Sequence, residues 1–145
     1  MSQENIAAAR RVIEEAFSQG NLDAIDEVCA ESFVDHDPLM GDQDREASKQ
    51  SIAGYREAFP DLEFTIDDIF AVDDKVVMRW TGKGTFENEM MGLEPNHETG
   101  SPVHGIAIDR FEDGKIVESW TQWDTLTFMR DIGAIPQEAT AWAGG

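Results

Sequence analysis

Apolar residues recur at helical spacing through the first sixty positions and at strand spacing after that. Ile6, Ala9, Ile13, Ala16 and Phe17 fall on one face of a helix. Ser2 is placed to cap its start, and Gly20 to end it in a left-handed turn. Asn21 is expected to cap a second, short helix carrying Leu22, Ile25, Val28 and Cys29. Residues 32–41 have no period and read as an irregular connection. Asp42 or Asp44 opens a third helix with Ser48, Ile52, Tyr55 and Phe59 on one side, and Pro60-Asp61 stops it.

Alternation replaces that period from Leu62, through Phe64 and Ile66. It slips at Asp67-Asp68-Ile69, which predicts a bulge. Asp73-Asp74 turns the chain, and Val76, Met78 and Trp80 alternate up to Gly82 and Gly84. Residues 87–100 read as a loop. The segments 102–111 and 115–124 flank Asp113-Gly114, a strong two-residue hairpin signal. Residues 126–132 predict a final short helix or turn.

Helices first and antiparallel strands second indicate an α+β fold. The expected form is a cone-shaped, strongly curved antiparallel sheet wrapped around the N-terminal helices. Such a sheet leaves a conical cavity suited to a small molecule. One domain spans 1–136, and 137–145 form a loose tail.

Composition narrows the function classes. The 145 residues include one cysteine, Cys29, which excludes a disulfide framework and a thiolate zinc site. Cys29 lies on an apolar helix face and reads as core packing. There is no apolar run of membrane-spanning length and no basic, apolar leader, so a cytoplasmic protein is expected. The net charge of −19 argues against nucleic acid or an anionic membrane as partner. Its acids are spread along the chain, and only four lysines (Lys49, Lys75, Lys83, Lys115) accompany them. That pattern favours a salt-adapted, halophilic coat over a docking face for a basic partner.

Hairpin register sharpens the candidate chemistry. With Asp113-Gly114 as the loop, Glu112 faces Lys115, Ala107 faces Trp120, Gly105 faces Gln122 and Val103 faces Asp124. Asp124, Trp120 and Gln122 then share one face, and His104 lies on the other unless a bulge intervenes. A carboxylate among tryptophans has a raised pKa and can act as a base. The competing role for Asp124 is to cap the helix that follows it. His36, in Asp35-His36-Asp37-Pro38, is flanked by carboxylates that would hold its charge or tautomer, and it reads equally well as a surface histidine. Asp35, Asp37 and Glu46 imitate a calcium loop, but Pro38, Leu39 and Met40 break it. His36, His97 and His104 show no metal-ligand spacing, and His97 reads as exposed. Trp80 can line a pocket or fill the core, and Trp142 lies in the tail. No phosphate loop or nucleophile elbow is present.

Taken in order, several segments resemble one family. They are Phe33-Val34-Asp35-His36-Asp37-Pro38, Phe59-Pro60-Asp61-Leu62 and the stretch from Val77 to Thr85. Gly105 to Phe111, the hairpin Asp113 to Trp120, and Trp123-Asp124 complete the match. Over about 4–136 the chain resembles SnoaL-like polyketide or ester cyclases, within the nuclear-transport-factor-2-like superfamily. The resemblance implies a cystatin-like α+β barrel, no cofactor or metal, and a homodimer. The predicted interface is the outer sheet face, with Val117, Ile106, Ile108 and Trp123 as its apolar row. It also implies proton transfer beside an ester carbonyl and aldol-type ring closure, or a related isomerisation, on a small hydrophobic compound. Asp124 matches the family's catalytic aspartate and His36 its loop histidine. Trp120, Gln122, Trp80, Phe59 and Phe86 are the expected substrate contacts. Phe86 stands where relatives carry a histidine, and Arg130-Asp131-Ile132-Gly133 replaces their Gln-Leu-Gly segment. The alternative function is a non-catalytic ligand-binding or dimerisation domain of the same fold.

Overall fold

The computed structural model describes residues 2–95 and 101–136. Helix α1 (Ser2–Arg11) runs directly into a π-helical turn, Val12–Phe17, and α2 (Asp23–Val28) follows. Gly20 takes the predicted left-handed conformation, φ +76°. Ser2 is the first helical residue rather than a cap. Asn21 does not cap α2 with its side chain, which instead reaches the Glu15 carboxylate; Leu22 occupies the cap position.

The irregular stretch expected at 32–41 is in fact two strands, β1 (Cys29–Asp37) and β2 (Gly41–Asp44). Polar residues hid them, because two of the inward residues of β1, Asp35 and Asp37, are carboxylates. Asp44 caps α3 (Arg45–Ala58), accepting the Ala47 amide at 2.8 Å. Four further strands follow: β3 (Glu63–Val72), β4 (Lys75–Lys83), β5 (Val103–Glu112) and β6 (Lys115–Trp123). A short helix, α4 (Thr125–Asp131), is the last of the described elements.

The six strands form one sheet in the order β2-β1-β6-β5-β4-β3. It is not closed, so β2 and β3 are free edges rather than neighbours in a barrel. It is also not wholly antiparallel, because β1 runs parallel to β6. The predicted bulge in β3 lies between Ile66 and Asp68. Val76, Met78 and Trp80 of β4 are buried inward, as their alternation predicts. They join Ile13, Ile25, Val28, Phe33, Ile52, Phe111 and Ile116 in the main core. Among the described residues no helix is long and apolar enough to cross a membrane.

The β5–β6 hairpin carries the decisive difference. Asp113 and Gly114 turn as expected, with φ of 51° and 77°, and Glu112 faces Lys115. Phe111 faces Ile116, but Arg110 then faces Glu118, leaving Val117 as an extra residue. This bulge shifts every later pair by one residue and exchanges the two faces of β6 relative to the simple register. Ser119, Thr121 and Trp123 therefore point inward, whereas Trp120 and Gln122 point outward and are exposed.

Candidate functional site

An apolar cavity of about 160 Å³ lies between the inner sheet face and the π-turn, α3 and α4. Phe17, Phe59, Phe64, Trp80 and Phe128 supply much of its wall. Small residues make room for these rings. A methyl group at Gly105 would sit 2.2 Å from Trp80 Cζ2, so only glycine lets the indole occupy this position.

Polar groups enter the cavity as a ladder along β6. Ser119 Oγ donates to Asp109 Oδ1 of β5 at 2.7 Å. Thr121 Oγ1 donates to Asp35 Oδ1 of β1 at 3.0 Å, and Trp123 Nε1 to Asp37 Oδ1 at 3.0 Å. The donors are two residues apart, so each step is about 7 Å along the strand. Burial grades along the ladder: Asp109 and Ser119 are buried, while Asp35, Asp37, Thr121 and Trp123 are half-buried. Gly82, Gly84 and Ser101 line the end nearer Asp37 and Trp123.

The three carboxylates differ in electrostatics. Asp37 Oδ2 also accepts the Leu39 and Met40 amides, at 2.9 and 2.8 Å. Burial pushes Asp35 up to about 6, against the opposing Thr121 hydrogen bond, and the nearby Asp37 charge adds to the rise. Burial pushes Asp109 up to about 7, with a smaller upward push from Asp35. Tyr55, on α3, lines the same cavity, and its hydroxyl is raised by burial and by the Asp37 and Asp35 charges. Its ring packs edge-on against Trp123 and Phe128. The Cys29 thiol is pushed up to about 12 by burial, consistent with a packing role. Among the described residues, no group of three or more His, Cys, Asp or Glu is arranged to hold a metal ion.

The residues expected to form the site are only partly brought together. Trp80 and Phe59 line the cavity. Phe86 is buried and stacks on Phe59 at 5.5 Å, but does not reach the cavity wall. Trp120 and Gln122 lie on the outer face because of the Val117 bulge. Asp124 is not in the wall either. Its Oδ1 accepts the Thr127 amide at 3.1 Å and its Oδ2 the Thr127 hydroxyl at 2.7 Å, which caps α4. These bonds hold its carboxyl below the usual aspartate range, the reverse of what a base needs. Trp123, placed outside by the simple register, is inside.

His36 also lies outside the cavity. Its Nδ1 and Nε2 each sit 2.7 Å from a carboxylate, Asp42 and Glu118 respectively, and its ring stacks against Trp120 at 5.8 Å. Both carboxylates raise its pKa, Glu118 most. His104 lies near Thr81, with Nδ1 3.0 Å from Oγ1. His97, the tail at 137–145 and Trp142 fall outside the described residues.

Asp35, Asp109, Tyr55, Ser119 and Thr121 were not singled out by sequence as site residues. The available signal was period two across Phe33, Asp35 and Asp37, with a one-residue slip at Val117 to align Ser119, Thr121 and Trp123.

The sequence profile of SnoaL-like polyketide cyclases matches residues 7–132. No curated protein sequence matches the chain. Among solved structures, a candidate polyketide cyclase from Bacillus cereus is 28% identical with a TM-score of 0.76, covering 91% of this chain and 82% of its own. AclR, a candidate hydroxylase from Streptomyces galilaeus, is 25% identical with a TM-score of 0.80, covering 94% and 100%. A candidate SnoaL-like polyketide cyclase from Jannaschia sp. CCS1 shares the fold with a TM-score of 0.81 at 22% identity, covering 93% and 95%.

Proposed function

The chain belongs to the SnoaL-like polyketide cyclase family, and from that premise we propose that it catalyses proton transfer on a small hydrophobic carbonyl or ester compound, with Asp35 as the general base. The observation that carries this reading is Asp35 itself. Its carboxylate sits in an aromatic-walled cavity, Thr121 fixes one oxygen, and burial makes it a stronger base than an ordinary aspartate. Near neutral pH it is still mostly ionised.

In the proposed step, Asp35 takes a proton from the carbon next to the substrate carbonyl, and the C–H electron pair becomes the enolate. Tyr55 donates its hydroxyl hydrogen to the developing oxyanion. The enolate carbon then attacks a second carbonyl of the same molecule, and protonated Asp35 returns its proton to the new alkoxide. Without a second carbonyl the proton returns to carbon, and the outcome is isomerisation or exchange. The residues invoked need no metal or cofactor for these steps. A two-fold dimer through the outer sheet face belongs to the same proposal. Phe70, Ile106 and Trp120 are exposed there, and Val77 and Ile108 lie between them in register.

The test uses α-proton exchange of 2-tetralone, a rigid bicyclic ketone, followed by proton NMR in deuterated water. The wild-type protein should accelerate exchange, and Asp35→Asn should slow it by about 100-fold or more. Asp124→Asn, which preserves a capping side chain, should retain the rate. Loss of exchange in Asp124→Asn but not in Asp35→Asn would transfer the role to Asp124. No acceleration by the wild type would favour the second reading, a non-catalytic binding domain. The engagement of Asp124 in the α4 cap is the observation on that side.

A further inference from the structure

Asp109 is the most enclosed carboxyl in the cavity wall, 4% exposed, and the steps above do not use it. Ser119 donates to Oδ1, and no described residue hydrogen-bonds Oδ2. The Asp109 side chain lines the cavity. Among the described residues no lysine or arginine pairs with this side chain, and its charged neighbour is another carboxylate, Asp35. An unpaired anion in such a place is strongly disfavoured, whereas a neutral carboxylic acid is tolerated once its O–H finds an acceptor.

We propose that Asp109 acts as a neutral hydrogen-bond donor that selects the substrate. Its Oδ2–H engages an acceptor oxygen at the leading end of the hydrophobic molecule entering the cavity. This rests on the reading that the cavity takes a hydrophobic carbonyl compound, and it narrows the class. Asp35 and Asp109 both stand opposite Ser119, one on each side of β6, so the two carboxyls face the cavity from strands about 10 Å apart across the sheet. A fitting substrate carries two oxygen functions. One activates the carbon that meets Asp35, and the other reaches across β6 to Asp109. A pure hydrocarbon, or a compound with oxygen only at its trailing end, leaves the acid unpaired and binds poorly. Asp109 is in this sense a specificity-determining residue.

The experiment reads the hydrogen bond directly. A two-ketone probe, 6-acetyl-2-tetralone labelled with carbon-13 at the acetyl carbonyl, is bound at pH 6.5, and the stretch of that labelled carbonyl is recorded by infrared difference spectroscopy. The wild type should show a band lowered by hydrogen bonding. Asp109→Asn retains an N–H donor and should keep the lowered band, as should Asp35→Asn. Asp109→Leu, of similar shape, should lose it and bind the ketone at least about 5-fold more weakly. Should Asp109→Leu fail to fold, pH supplies the contrast: at pH 9 the wild type should lose the band while Asp109→Asn keeps it. An unshifted band in the wild type, a lowered band surviving in Asp109→Leu, or its loss in Asp35→Asn would each overturn the proposal. The exchange assay with Asp35→Asn reports separately on the base, so either reading can fail while the other stands.

Discussion

Thr121 donates its hydroxyl to Asp35 from the neighbouring strand, and this bond opposes the burial that raises the Asp35 carboxyl. The pair therefore sets the strength of the proposed base by a balance of two effects, desolvation being the larger. Replacing Thr121 with Val keeps the shape and removes only the donor.

Thr121→Val should consequently raise the Asp35 pKa further. A hydrogen bond to a charged group is worth roughly 1.5–3 kcal/mol, and 1.36 kcal/mol corresponds to one pKa unit. The acidic limb of the pH profile for 2-tetralone exchange should move up by about one pH unit. An unmoved limb would dissociate Asp35 from the exchange.

Stability should fall as pH rises from about 4 to 8. The folded values of Asp35 and Asp109 are raised, so each contributes most while it is protonated and loses that contribution as pH passes about 6 and about 7. His36 acts in the same sense, because its folded value is raised by Glu118 and Asp42. Below this window the sign reverses. Asp124, Asp61 and Asp26 have lowered values, and their contributions are lost as pH drops through the carboxylate range. Thermal melts should show a maximum near pH 4, about where an unfolded aspartate titrates, and a decline towards pH 8. Asp109→Asn should flatten that decline; an equal slope in the variant would show that Asp109 is ordinary in the folded state.

Gly105→Ala should destabilise the fold. The added methyl collides with the Trp80 indole, which is ring rather than flexible chain end, and Trp80 is itself packed at 4.9 Å against Phe64. Overpacking of this kind costs about 1–3 kcal/mol. Denaturant unfolding measures the loss, and the fluorescence of 2-tetralone-free protein should report a displaced tryptophan. A variant as stable as the wild type would mean that the wall around Trp80 yields easily.

Much of the architecture was legible because its apolar positions keep a clean period. Ile6 to Phe17, Ser48 to Phe59 and the alternation Val76, Met78, Trp80 each bury the face they predict. The Asp67–Asp68 bulge in β3 announced itself by breaking that alternation. The bulge at Val117 did not, because Ile116 and Val117 are both apolar and either can face inward without a visible defect in the pattern. One silent extra residue was enough to put Trp120 and Gln122 outside and Ser119 and Thr121 inside. β1 was missed for a related reason. Its inward residues, Asp35 and Asp37, are carboxylates in a polar-lined part of the cavity, so hydrophobic alternation never appeared.

The outer face offers a test of assembly. Ile106 is 51% exposed beside Ile108, Trp120 and Phe70, a patch too apolar to favour open water. Light scattering at micromolar concentration should give twice the chain mass, and Ile106→Glu should give the chain mass with cavity binding of 2-tetralone unchanged. A wild-type monomer would remove the dimer from the proposal.

Salt should stabilise the protein. Eleven basic residues stand against 30 acids, and exposed acids such as Glu31, Glu57, Glu63, Asp73 and Glu87 are spread over several elements. At 0.01 M salt the Debye length is about 30 Å, comparable to the whole domain, so these charges repel one another across it. At 1 M it is about 3 Å and the repulsion is nearly gone. The same screening removes a barrier to contact between two acidic copies. Thermal melts at fixed pH in increasing potassium chloride should therefore rise steeply up to about 1 M. A neutral osmolyte serves as control for exclusion from apolar surface, which also strengthens burial. A further rise above 1 M points to ion binding or salting-out. A melting temperature that is flat or falls with salt would defeat the salt-adapted reading, and the acidic coat would then be better explained as a docking face for a basic partner.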